Sequence, residues 1–159
     1  MALYPVAGCK IYIGGIKATK KTDFTAADFA SETWTEVDGW SSMGPFGDTA
    51  ALITTSLINQ NRDIKQKGTT NAGTMQNVFA AQDDDAGQIK MKAAAAGAVK
   101  DSYSFRVDFN DAVGTGAPSK VYFVALVMSA QIAGGTANTI RNLNATLELN
   151  SNIVYVANT

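Results

Sequence analysis

The run "YSFRVDFN", Tyr103–Asn110, alternates without a fault: Tyr103, Phe105, Val107 and Phe109 point one way, Ser104, Arg106 and Asp108 the other. A two-residue period suits a strand and no helix, so this chain must build a sheet with a dry side and a wet side. Other β-branched and aromatic clusters are punctuated by Gly, Asn, Asp and Ser. "CKIYIG" (9–14), "TWTEV" (33–37), "ALITTSLIN" (51–59), "RDIKQK" (62–67), "TMQNVFAA" (74–81), "TIRNLNATLELN" (139–150) and "NIVYVA" (152–157) all read as strands. The pair 51–59 and 62–67 is joined tightly at 59–61. "VYFVALVMSA" (121–130) is apolar on both faces, which implies a strand covered on both sides.

One stretch breaks the pattern. "DDDAGQIKMKAAAA" (83–96) opens on aspartates that complement a helix dipole, Asp85 and Gln88 have capping-box spacing, and Gly97 stops the Ala-rich turns. The chain of 159 residues is long enough for one core and short for two. The expected fold is therefore a single domain over 1–159, mainly β: an antiparallel β-sandwich or partial barrel with one flanking α-helix at about 84–96. Two segments fit no period. The excursion 16–32 is polar and basic at first, with Phe24 and Phe29 further on, and "GWSSMGPFGDTA" (39–50) sets Trp40 and Phe46 among glycines.

The chemistry is mostly exclusion. With no histidine, the commonest general base and transition-metal ligand are missing, and Ser–His, Cys–His and the usual zinc sites go with them. Asp48, Asp108, Asp111 and Glu148 are raw material for a carboxylate pair, but each reads more simply as a turn or surface group. "GTTNAGTM" (68–75) has the glycines of a phosphate loop and Thr74 where the lysine belongs. Asp83–Asp85 departs from an EF-hand at Gly87 and lacks the closing Glu. The single Cys9 allows no internal disulfide and reads as a small hydrophobe. No catalysis, cofactor or metal is expected.

The net charge of −1 leaves no basic footprint for gripping nucleic acid. Only 17% of residues are charged, against roughly 25% in ordinary soluble domains. That points to surface buried in an assembly. The first ten residues do not form a secretory signal, "NAT" (144–146) is then no glycosylation site, and the longest apolar run is too short to span a bilayer. The expectation is a chain made and kept in the cytoplasm. Edge-to-edge pairing of sheets into a ring explains the doubly apolar 121–130 strand, because closing a ring removes exposed edges.

The order "TWTEVDGW", "GPFGDTA", "RDIKQKGTTNAGTMQNVFAAQDDDAGQIKMKAAA", "YSFRVDF", "YFVALVMSA" and "LNATLELNSNIVYV" resembles tail tube proteins of long-tailed, non-contractile bacteriophages. The resemblance covers about 33–156, and its motifs are structural. It implies a subunit that forms hexameric rings, inner sheets joined into one barrel, stacked into the hollow tube through which the genome passes. It also implies partners: copies of itself, the tape measure, tail terminator and tail tip proteins, and DNA in transient passage, in a virion tail assembled in the host cytoplasm. By position, 16–32 matches the family's long loop to the adjacent ring, disordered until docking. Phe24 and Phe29 are then inter-ring anchors, and Lys17, Lys20 and Lys21 meet acidic groups across the interface. Trp40 and Phe46 become contacts with a neighbouring copy or caps on the subunit's own core. Thr54, Ser56, Asp63, Lys65, Lys67 and Glu148 are the candidates for the lumen. The rival is a monomeric β-sandwich binding module, for virion decoration or carbohydrate binding, with Trp40 and Phe46 stacking on the ligand.

Overall fold

The computed structural model describes residues 2–159. Ten strands and one α-helix follow in order: β1 (Lys10–Ile16), β2 (Thr35–Glu36), β3 (Trp40–Ser42), β4 (Thr49–Thr55), β5 (Ile64–Asn71), β6 (Thr74–Ala80), α1 (Ala86–Ala94), β7 (Tyr103–Asp108), β8 (Lys120–Ala133), β9 (Asn142–Leu149) and β10 (Val154–Val156). Eight of the strands make one antiparallel sheet, β2-β1-β7-β8-β9-β6-β3, with β10 beside β8. The sheet is curled into a half-barrel, so the partial barrel rather than two facing sheets is what forms. The remaining two strands, β4 and β5, pair only with each other.

The alternation of β7 gives the dry side it promised, but the side expected to be wet is covered too: Ser104 is buried and Arg106 and Asp108 are half-buried. Phe105 and Val107 are fully buried, flanked by Ile11 and Ile13 of β1 and by Val121 and Phe123 of β8 in register. Met75 and Phe79 of β6 and Leu143, Ala145 and Leu147 of β9 continue this core, which the helix closes with Met91 and Ala94. Phe105 and Phe123 stack at 5.6 Å.

The helix starts where its cap requires. The Asp85 carboxylate accepts from Gln88 N at 2.8 Å. Gln88 does not return the bond, so the expected capping box is only half made. Its side chain is fully buried and used elsewhere: Oε1 accepts from Gln82 N, while Nε2 donates to the carbonyls of Asp38 and Ala80. Those three bonds tie the helix to the chain before β3 and to the end of β6. Gly87 sits so close to β2 that a Cβ there would collide with the Glu36 carbonyl. The absence of a side chain sets that approach.

β8 changes neighbours halfway. Its first half pairs with β7 from Lys120 to Ala125, with β10 on the opposite side. Beyond Ala125, β9 runs beside it to Ala133, and among the described residues no strand continues on the β7 side. The register slips between Val127 and Ser129, and Met128 at the slip is exposed, as is Ile132. The strand expected to be covered on both sides is so covered only in its first half.

Candidate assembly surfaces

The excursion is a strap folded onto the outer face of the sheet. A 3-10 turn at Ala26–Phe29 follows Thr25, and the Asp28 carboxylate accepts from Thr25 N at 2.7 Å and from Lys20 Nζ at 2.7 Å. The lysine and the Thr25 donors hold that carboxyl down at about 2. At the far end, Glu32 accepts from Lys17 Nζ at 3.0 Å and from Gly15 N at 3.0 Å. Burial pushes the Glu32 carboxyl up, but these bonds outweigh it and leave it below its ordinary range. In the middle, Phe24 and Phe29 are buried with Val124, under half-buried Trp34, Tyr122 and Val154. Phe29 stacks on Tyr122 at 5.2 Å, and Trp34 sits 5.8 Å from the same ring. Arg106 lies over Tyr12 at 4.0 Å, its Nη2 donating to Asp108 at 3.0 Å.

This placement corrects the reading of 16–32 as a loop without structure before docking. Phe24 and Phe29 are spent inside their own subunit, because the outer face of β8 carries Tyr122 and Val124, which need a cover. They are not offered to a neighbour in this conformation. Lys17 and Lys20 are likewise engaged with Glu32 and Asp28, and lie over the rings of Phe29 and Phe24. Only Lys21 of the group is simply exposed.

Trp40 and Phe46 are half-buried against the main core of this chain. Trp40 Nε1 donates to the buried Asn77 at 3.1 Å, and its ring lies 6.4 Å from Phe79. Phe46 packs 5.8 Å from Phe123. Rings placed this way are caps on a core, which counts against the stacking role that the binding-module reading gave them.

The four candidate carboxylates do not form one cluster. Asp108 pairs with Arg106 and Asp111 accepts from Ser119 N at 2.7 Å, while Asp48 and Glu148 line one groove, where Glu148 accepts from Thr74 Oγ1 at 2.5 Å. Among the described residues, no group of three His, Cys, Asp or Glu is placed to hold a metal, and no helix is long and apolar enough to cross a membrane.

What the chain leaves uncovered is more telling. The β4–β5 ribbon is exposed throughout except for half-buried Ala50 and Gly68. Opposed residues share a face, so Leu52 and Lys67 lie together with Thr54 and Lys65, continued by Ser56 and Asp63, which bond at 2.6 Å. The other face carries Ile53 with Gln66 and Thr55 with Ile64. At the tip Ile58 is wholly exposed and Leu57 partly so. Five of the lumen candidates thus share one ribbon face. The sixth, Glu148, is on a bare polar face of the main sheet, beside Thr74 and near Gln76, Asn144 and Thr146, and it is the one charged residue of β6 and β9. Sequence reasoning missed the exposed isoleucines of the ribbon: Ile53 and Ile64 stand on a polar two-strand unit that no third described strand covers, which their local pattern does not disclose.

A groove of about 610 Å³ lies at the root of this ribbon. Asp48 and Asn71 line its ribbon side, Asp23 the strap side, Leu126 and Glu148 the sheet, and Asn152 the connection between β9 and β10.

This mainly β half-barrel with one helix is similar in fold to chains solved in phage-tail and injection-system assemblies. One similar solved structure is a chain of the sheath/tube terminator of an extracellular contractile injection system, PVC, at TM-score 0.71 and 11% identity over 99% of both chains. A second belongs to the anti-feeding prophage baseplate, solved with 6-fold symmetry, at TM-score 0.68 and 9% identity over 99% of this chain and 98% of that one. A third is the SPP1 tail tube, at 0.67 and 13% over 96% of this chain and 80% of that one. At these identities the likeness is one of fold, and it spans a contractile injection system as well as a phage tail tube. No family model and no curated protein sequence matches the chain.

Proposed function

We propose that this protein is a non-catalytic structural subunit of a phage-like tail tube, and that it self-assembles into stacked hexameric rings around a channel for DNA. The observation that carries this reading is the pair of unpartnered β elements on a subunit otherwise closed over its core. The ribbon has an amphipathic section with nothing on its apolar face, and β8 has an open edge from Leu126 to Ala133. A long open edge invites pairing with another chain, and a monomer ordinarily blunts it. Lateral pairing along β8 suits ring closure, while the ribbon, roughly 24 Å long at about 3.4 Å per residue, suits the reach between rings. The inter-ring role expected of 16–32 therefore passes to 49–71. The bare face of Thr74, Gln76, Asn144 and Thr146, with Glu148 at its groove end, is uncharged up to that end, which suits a channel wall, since each cationic contact to phosphate would retard DNA. Tape measure, terminator and tip proteins would be the partners in the virion, with assembly in the host cytoplasm.

The test is electron microscopy of the purified protein beside a variant in which residues 52–67 are replaced by an Asn-Gly turn. Hollow tubes from the parent and a folded monomer from the variant are expected. Tubes of ordinary length from the variant would remove the ribbon's role. A parent chain that stays monomeric at millimolar concentration would overturn the tube reading.

A further inference from the structure

The ribbon needs a place to land, and the same chain carries a surface that matches it. Between Thr49 and Asn71 the cations are Arg62, Lys65 and Lys67 and the sole anion is Asp63, whose carboxylate is already bonded to Ser56. The groove at the ribbon's root presents Asp23, Asp48 and Glu148 and no cation at all. Its floor includes half-buried Leu126, the residue at which the open edge of β8 begins. The exposed tip supplies apolar groups of its own in Leu57 and Ile58.

We propose that the ribbon of one copy docks in the groove at the ribbon root of a second copy. Its tip leucine and isoleucine lie against Leu126, and Arg62, Lys65 and Lys67 face Asp23, Asp48 and Glu148. This inference rests on the tube reading and names the receiving surface within it. Donor and acceptor sit at opposite ends of one element, so copies docked in one direction stack head-to-tail. Each copy so docked offers a fresh ribbon, which is the geometry of an open stack. A reciprocal antiparallel exchange of ribbons would instead close a pair and would show as a dimer that forms no tubes. The strap enters this contact through Asp23: by folding down beside the sheet it forms one wall of the groove. That gives 16–32 an inter-ring role after all, as receptor rather than as probe.

The test is charge exchange. Lys65→Glu with Lys67→Glu on one chain, and Asp48→Lys with Glu148→Lys on another, should each raise the concentration needed for tube formation by about tenfold or more, since close interfacial charge pairs couple strongly. All four substitutions on one chain should bring it back towards the parent value, measured by pelleting and electron microscopy at low salt. Circular dichroism and a thermal midpoint confirm that each variant is folded, and the ribbon's exposure means its pair should leave the midpoint unmoved. Assembly by both two-site variants at the parent's concentration would overturn the groove while leaving tubes intact. Failure of both two-site variants without recovery in the fourfold chain would also overturn it, because the charges would then act at separate surfaces. Failure of the parent itself to form tubes would instead strike at the reading beneath.

Discussion

Asn152 holds the backbone of Phe24 from both sides. Its Oδ1 accepts from the Phe24 N–H at 2.7 Å and its Nδ2 donates to the Phe24 carbonyl at 3.0 Å. A side chain thus stands in for a strand partner across 128 residues of sequence, and it fixes the strap at the point where the first buried ring enters.

Replacing it tests whether the strap is pinned or merely resting. Asn152→Ala should cost about 1–3 kcal/mol, the range for a buried backbone group losing its partner. Trypsin cleavage after Lys20 and Lys21 should rise while the main core keeps its protection in hydrogen exchange. If cleavage and the denaturation midpoint both match the parent, the clasp contributes nothing.

The strap should also open in acid. Asp28 and Glu32 both have carboxyls held below the ordinary range in the folded chain, Asp28 at about 2. Depressed values mean stability that is complete above the ordinary carboxylate range and lost as pH falls through the folded value. Pepsin cleavage at Phe24 and Phe29 should therefore climb as pH drops from about 4 to about 2, once corrected for the protease's own profile on an unfolded substrate. A Glu32→Gln chain should be cleaved faster than the parent at the upper end of that window. Constant protection down to pH 2 would show that the aromatic contacts alone hold the strap.

Gly87 offers a test whose sign is informative. In an exposed helix, Gly→Ala stabilises by roughly 1 kcal/mol. Here the new methyl would meet the Glu36 carbonyl, so Gly87→Ala should destabilise by about 1–3 kcal/mol as overpacking does. A rise in the urea midpoint would mean that helix and β2 are less closely packed than described.

Much of the sheet was legible because half-buried strands alternate. The run 103–110 could be placed from its residues alone, and the helix start followed from Asp85. The last two strands were legible as strands, but β10 lies beside β8 and not beside β9 as a final pair would. The ribbon was legible as two strands but not as a free-standing unit. Local pattern fixes which way Ile53 and Lys65 point and says nothing about whether a third strand covers them. The strap was opaque for a related reason. Phe24 and Phe29 obey no period, since what orders them is Tyr122, Trp34 and Asn152, all distant in sequence. Lumen candidates chosen by polarity alone fell on two surfaces, because polarity marks a wet face without marking which water it meets.

The ribbon has one more consequence. Nearly every residue that holds the subunit together lies outside 49–71, and nearly every residue within that segment is bathed in solvent. The ribbon is thus written apart from the folding core, although the proposed groove and the β8 edge are not. In the proposed assembly, mutation of the ribbon can retune how strongly copies attract one another without touching the thermal endurance of each copy. Such a separation would let lineages drift apart in the arm they offer while keeping the same building block.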